Sequence, residues 1–529
     1  MRSDPTPPRP DRTGLAVLAG SLVYLHLFVL RGMGWIDEGF ALNAARRIAG
    51  GEVLYRDFFA PYGPGRHYLL GWAFDLLGTR LLVARSLWIL LLALTAVALY
   101  RVGRRLMPRN WAAAAAVCFV LFPPQAFKAY TPLAYAGIAL LSLRAIERPV
   151  QGRWLAAGAG VGLAGLFRFD LWGTGTVILA VAWLLGRDEA GRRRPAGLRA
   201  AAAGMLLTAA PPLAAYGATG FLPDLVRYEA MQKAQLARFF ALPLPSPLRA
   251  WAEGNGLAAV AAGTFDAIAA WVPALLAAVA LWRATVRRRA PAARDAALLL
   301  VGVACAAGQV VYFSRPDFDH LLHVTPLAFV LLLYFLRQAR LRAGDASVWW
   351  GVVAAGGLFV ALFAASAILR HPLEGFSIGR LRVATERVDG GAREVFWDTP
   401  YRAGVFRGVS RLVASLPDGP QRDEIAFLPF GGIWYFLLDL RNPIPQEPLS
   451  TYSGGDGRWA DEERDVIREL EDAGVRFVFL ERSDPRYAIL PPFGSIHPVL
   501  ARYLEATFRD TGDRIGEWSL LVRRDRAAP

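Results

Sequence analysis

The chain has 529 residues, 55% of them hydrophobic and 19% charged, with a positive mean hydropathy. That is too apolar for a soluble globular average and implies several membrane spans. A formal net charge of +15 does not point to nucleic acid, because the arginines sit in short clusters between apolar runs, where they act as topology signals. Lys128 and Lys233 are the only lysines, a bias read here as genome composition. Cys118 and Cys305 fall inside apolar runs, which argues against a disulfide framework and against a thiolate metal site.

In chain order, residues 1–13 read as a disordered cytoplasmic tail, with four prolines between Met1 and Arg12. The apolar run Leu15 to Leu30 has no Ala-x-Ala site after it and reads as an uncleaved first span. Hydropathy gives about eleven spans in a membrane region covering 14–370: roughly 14–31, 79–100, 110–126, 130–146, 153–169, 171–186, 198–219, 262–282, 295–313, 321–337 and 347–369. Every second connection is basic, beginning with Arg101/Arg104/Arg105/Arg109, then Arg144/Arg148/Arg153, and ending with Arg337/Arg340/Arg342. The positive-inside rule makes these cytoplasmic. The N-terminus is then inside, and residues 371–529 are outside.

Length and polarity accumulate in the external connections. The first, 32–78, opens with Gly34-Trp35-Ile36-Asp37-Glu38-Gly39-Phe40 and continues through Tyr55-Arg56-Asp57 to Pro61-Tyr62-Gly63-Pro64-Gly65-Arg66. Within it, Phe40, Ala41, Ala44, Ala45 and Ile48 recur at helical spacing, with Arg46 and Arg47 on the other face and Gly50-Gly51 as a stop. That pattern predicts a short amphipathic helix lying in the membrane interface. A second helical stretch, Arg66 to Leu77, runs into the second span. Residues 220–261 form another large external loop mixing aromatic and cationic side chains. Beyond about 370 the composition is that of a small α/β domain. Strands are expected at Ile425–Leu428, Arg476–Leu480 and Trp518–Val522, and helices at Asp461–Ala473 and Pro498–Phe508. No phosphate loop, metal spacing or nucleophile motif appears there.

An acidic pair just beyond a span is costly to hold near lipid, so Asp37-Glu38 suggests chemistry at the membrane surface. A carboxylate there can act as a base toward an attacking hydroxyl; the alternative is that Asp37 caps the following helix. Asp57 reads as a turn residue or a substrate contact. Arg168-Phe169-Asp170 is either an ion pair or part of a cleft wall. In Arg315-Pro316-Asp317-Phe318-Asp319-His320-Leu321-Leu322-His323, two histidines at i and i+3 near carboxylates can ligate zinc, contact phosphate, or form a polar helix cap.

The first loop resembles that of GT-C membrane glycosyltransferases, closest to the bacterial branch related to protein mannosyltransferases and lipid A aminoarabinose transferases. The resemblance covers about residues 15–370. It implies a GT-C-like polytopic α-helical membrane protein with a small extracytoplasmic C-terminal α/β domain. In that family the Asp matching Asp37 is catalytic, and Glu38 orients it or helps hold a divalent cation. Asp57 matches the family's Tyr-x-Asp wording, and Pro61-x-x-Pro64 is also in place. The Lys-Pro-Pro-Leu stretch of the aminoarabinose branch is absent, leaving Arg66 or His67 to meet the lipid phosphate. Arg315, Asp317, His320 and His323 are then donor or acceptor contacts rather than metal ligands, while Arg168 and Asp170 stay either an ion pair or part of the same cleft.

The activity implied is transfer of a hexose or pentose from a polyprenyl-phosphate donor to a glycan, lipid or protein acceptor. It would take place outside the bacterial cytoplasmic membrane, with membrane lipid as a partner and no nucleic acid. A single base acting on an activated phosphate donor fits inversion. A secondary transporter or flippase for a lipid-linked or small polar substrate is the alternative, since Pro123-Pro124 and Pro211-Pro212 resemble breaks in transporter helices. A ligand sensor is a third reading.

Overall fold

The computed structural model of the chain describes residues 11–186, 195–239, 244, 257–286, 293–313, 318–342, 376, 380–381, 383–389, 395–417, 423–446, 460–482 and 492–524. Ten helices occupy its first part: α1 (Arg12–His26), α2 (Asp37–Ala49), α3 (Pro64–Leu77), α4 (Leu81–Leu106), α5 (Arg109–Leu121), α6 (Tyr130–Glu147), α7 (Gln151–Phe167), α8 (Asp170–Leu185), α9 (Pro195–Ala218) and α10 (Leu222–Phe239). Helices Leu257–Val286, Ala293–Phe313, Phe318–Val324 and Leu327–Arg342 follow. Among the described residues, five helical segments are long and apolar enough to cross a membrane: Leu81–Leu106, Ala126–Glu147, Pro195–Ala218, Asp266–Val286 and Arg294–Phe313. The expected span 347–369 lies outside the described residues.

At two places the departure from the sequence expectation follows from proline. The expected span 321–337 is two helices, because Pro326 has no N–H to continue the ladder after Val324. The expected 110–126 ends at Leu121, and Pro123-Pro124 leads into a 3₁₀ turn, Ala126–Lys128. Pro211 and Pro212, by contrast, lie inside the continuous helix α9 and break nothing. That removes one of the two signs on which a transporter reading rested.

Small residues set the packing of the bundle. A Cβ at Gly158 of α7 would lie 1.8 Å from the Ala201 carbonyl oxygen of α9, and one at Gly204 would lie 2.0 Å from that of Leu155. Helix association in lipid depends on such close backbone approach. The arginine-rich ends gather on one side. Arg105 at the end of α4 pairs with Glu147 at the end of α6 at 2.7 Å, and Arg153 donates to the Arg144 carbonyl. The other end of α6, where the 3₁₀ turn enters, is about 27 Å away at 1.5 Å rise per residue.

The C-terminal region contains two small sheets. β1 (Glu386–Asp389) pairs antiparallel with β2 (Val395–Asp398). The second sheet has the order β3-β4-β6-β5, with β3 (Ile425–Leu428), β4 (Phe477–Glu481), β5 (Phe508–Ile515) and β6 (Trp518–Arg523). β3 and β4 are parallel, as a βαβ crossover through helix Ala460–Asp472 requires. That helix buries Val466 and Leu470, and its buried Glu463 carboxylate accepts from the Val499 and Leu500 amides. Those are orphan N–H groups of helix Pro498–Thr507.

The C-terminal region is knit to the first loop. The Gly32 amide donates to the Trp397 carbonyl, the Trp35 indole donates to Asp398, and Arg402 donates to the Met33 carbonyl. An aromatic column runs from Trp35 to Trp434, then Phe427 and Phe479, with ring centroids 5.1, 5.6 and 4.7 Å apart. Gly39 and Gly432 let α2 and helix Gly432–Leu437 touch: a Cβ on either would come within 2.7 Å of Ile433 or Phe40. Helix α2 therefore does not present a charged face to the interface, as its periodicity suggested. Arg46 donates to Asp439 and the Leu440 carbonyl, Arg47 is 8% exposed, and the polar face is covered by the C-terminal region.

Candidate active site

The acidic pair divides into two roles. Asp37 is the first residue of α2, whose N-cap is Ile36, and the cap makes no side-chain hydrogen bond. Its carboxylate is 41% exposed and lies 3.7 Å from the Lys128 ammonium, which is 4% exposed. Lys128 is buried there because the Pro123-Pro124 turn delivers the 3₁₀ segment against the start of α2. The lysine that sequence reasoning set aside as composition thus faces the expected catalytic carboxylate.

Glu38 is turned the other way and is buried. One oxygen accepts from the Arg85 Nε at 2.7 Å; the other accepts from Arg85 Nη2 at 2.9 Å and from the Gly34 amide at 2.8 Å. Arg85, fully buried on α4, also donates to the Val29 and Gly32 carbonyls at 2.6 Å each. One guanidinium thereby joins the tail of α1, the loop and the first turn of α2, which sets where Asp37 stands. Breaking such a pair on one side strands a buried charge, at a cost of about 3–5 kcal/mol. Arg85→Met should lower the thermal-unfolding midpoint sharply, and adding Glu38→Leu should recover a large part of the loss. Equal midpoints for wild type and Arg85→Met would contradict this role.

The donor set does not fit the divalent cation expected near Asp37 and Glu38. Both Glu38 oxygens are taken by Arg85, and Asp37 faces an ammonium. Among the described residues no group of three or more His, Cys, Asp or Glu could hold a metal.

Arg66 is 7% exposed and has no carboxylate partner among the described residues. It donates to the Tyr130 hydroxyl at 3.3 Å and the Phe127 carbonyl at 3.4 Å, and lies 4.8 Å from the Tyr62 ring and 5.5 Å from that of Phe40. Phe127 is the chain neighbour of Lys128, so Arg66 of α3 is anchored to the turn that carries the lysine. Beside Arg66 a small cavity has apolar walls from Leu70, Leu87, Trp88 and Leu91. Tyr62 and Tyr55 both hold positive φ, +71° and +69°, rare outside glycine, and the Tyr55 hydroxyl donates to the Tyr62 carbonyl.

His67 does not share the phosphate role offered to it. Its Nε2 donates to the Pro61 carbonyl at 2.8 Å, and burial, with the Arg66 charge beside it, lowers its pKa to about 3. A neutral imidazole committed to a carbonyl is no anion site. Arg168 and Asp170 form a bidentate pair at 2.9 and 2.7 Å, with Arg168 5.9 Å from the Tyr62 ring. They border the Arg66 cluster as an ion pair.

Asp57 lies apart from Asp37. It accepts from the Val53 amide and pairs with Arg56, which holds its carboxyl below the usual range, and it lines a different cleft. The rings of His320 and His323 meet at a tilt with centroids 5.0 Å apart, His323 fully buried. Arg315 and Asp317 lie outside the described residues.

Neither a protein-family model nor a curated protein matches the sequence. Solved structures do match. The ArnT protein of Cupriavidus metallidurans, solved bound to undecaprenyl phosphate, aligns over 96% of this chain and 97% of its own, with 15% identity and a TM-score of 0.53. The Archaeoglobus fulgidus oligosaccharyltransferase, solved with zinc and sulfate, aligns over 96% of this chain and 73% of its own, with 13% identity and a TM-score of 0.51. Identities this low speak to fold. The chain is a polytopic α-helical protein with a C-terminal β-sheet region, and it shares the fold of these two structures, in line with the GT-C-like architecture that the resemblance implied.

Proposed function

We propose that the protein transfers a sugar from a polyprenyl-phosphate donor to an envelope acceptor on the extracytoplasmic side of the membrane. The observation that carries this is an exposed carboxylate facing a buried lysine, with a second buried cation, Arg66 of α3, held on the carbonyl of Phe127 beside that lysine and without a carboxylate partner among the described residues. Buried cations of this kind call for an anion.

Asp37 removes the proton from the acceptor hydroxyl as its oxygen attacks the anomeric carbon. The bond from that carbon to the phosphate oxygen breaks, and the pair of electrons leaves with the polyprenyl phosphate. Lys128 and Arg66 stabilise the charge growing there. Products are the glycosylated acceptor and the free lipid phosphate. Glu38 contributes by fixing α2 through Arg85 rather than by touching substrate. ArnT was solved with undecaprenyl phosphate, which supports a lipid phosphate as donor carrier.

Mass spectrometry of envelope glycans with and without the protein tests the reading: loss of one hexose, pentose or amino-sugar increment supports it, and unchanged glycans oppose it. The membrane sidedness has its own test. Residues 371–529 should stand outside the cytoplasm, so a C-terminal alkaline phosphatase fusion should be active. A fusion active only with a cytoplasmic reporter would reverse the orientation.

A further inference from the structure

Asp57 finds no place in the chemistry above, and the cleft it lines has a character of its own. We propose that this cleft, between the first loop, α10 and the C-terminal region, binds a saccharide chain free of anionic groups, at a site separate from Asp37. It lies at the Arg46–Arg47 end of α2, about 15 Å along the helix from Asp37. Its volume, ≈ 600 Å³, falls within the range of ligand sites, roughly 300–1,000 Å³.

The floor is built and rigid. Arg47, 8% exposed, donates to Glu52, to the Ile444 carbonyl and to the Asp57 carbonyl. The buried Asn442 donates to the Gln446 carbonyl and accepts from the Ile444 amide. The Phe59 amide donates to the Pro445 carbonyl at 2.6 Å, pairing the first loop with the C-terminal region as a short β-bridge. Across the mouth, Arg227 of α10 meets Glu462 of helix Ala460–Asp472 at 2.6 Å.

Charge selects the ligand class. Seven carboxylates and five guanidinium groups line the cleft. Four of those guanidiniums already have carboxylate partners: Arg47 with Glu52, Arg56 with Asp57, Arg227 with Glu462 and Arg468 with Asp465. An anionic ligand would face the remaining carboxylates at a net cost. Hydroxyl and amine groups, in contrast, donate to carboxylates well. Phe59, Pro443 and Pro445 in the same wall offer apolar surface to the C–H faces of sugar rings. A polyhydroxylated chain, neutral or amine-bearing, satisfies both features. The proposal does not depend on the chemistry assigned to Asp37.

The test is calorimetric titration of the full chain in a detergent without a sugar headgroup, at low salt, with chitotetraose, tetraglucosamine and tetragalacturonate as probes. The expected result is saturable binding of the first two and at least tenfold weaker binding of the third. Glu469→Gln combined with Asp472→Asn alters two exposed lining residues of helix Ala460–Asp472 and should weaken tetraglucosamine binding at least tenfold with an unchanged unfolding midpoint. Asp37→Asn should leave the binding as it is. The proposal is overturned if neither of the first two probes binds, if tetragalacturonate binds as tightly, if the double variant binds normally, or if the binding is lost in Asp37→Asn.

Discussion

Asp37→Asn should lower sugar transfer about 10²-fold or more, the scale of a positioned general base, while the protein folds and inserts as before. The substitution keeps the shape of the side chain and removes its ability to take a proton. The cost in stability should be modest, because the carboxylate is 41% exposed and the Asn amide oxygen can still accept from the buried Lys128 ammonium. The affinity for a polyprenyl phosphate should survive, since Lys128 and Arg66 remain in place. Turnover in detergent with a verified donor, compared at equal unfolding midpoints, reads the effect. Near-normal turnover would return Asp37 to the plain role of opening α2.

Lys128→Ala should cost about 10²–10³-fold in turnover, the usual loss when a fixed charge aimed at a developing anion is removed. The fold should tolerate it, because the partner left behind, Asp37, reaches solvent. Lys128→Arg should restore only part of the rate: a 4%-exposed slot shaped for an ammonium has little room for a planar fork. The informative quantity is the division between kcat and KM for the donor. A fall in kcat marks a contact that strengthens as the phosphate leaves. A rise in KM alone, with kcat unchanged, would mean that Lys128 only holds the ground state.

Much of the architecture was legible in the chain. Apolar runs gave the helices and the all-buried strand Ile425–Leu428, and the amphipathic helix Ala460–Asp472 stood out by its period. The short β1, with one buried residue in four, gave no comparable signal. At the site, position beyond a span singled out Asp37-Glu38, but neighbours in sequence face opposite ways on the first turn of a helix. Only Arg85 decides which one is buried. That arginine was itself a readable sign: a charge inside the apolar run 79–100 must find a partner. Lys128 was harder, since nothing local distinguishes a catalytic lysine from an exposed one. Its rarity in an arginine-biased chain and the Pro-Pro turn just before it were the available clues. The cover over the polar face of α2 comes from residues 432–446, nearly four hundred positions away, and no helical periodicity reports such a partner.

The proposed donor is a sugar linked through phosphate to a polyprenyl lipid. Reconstituted wild-type protein, given a synthetic undecaprenyl-phosphate sugar and a membrane-envelope extract as acceptor, should release one undecaprenyl phosphate for each sugar transferred, with both products followed by mass spectrometry. Matched release and transfer, abolished together in Asp37→Asn, is the result expected from the proposed reaction. Sugar transfer without lipid-phosphate release, or movement of intact donor across the vesicle membrane without transfer, would contradict it.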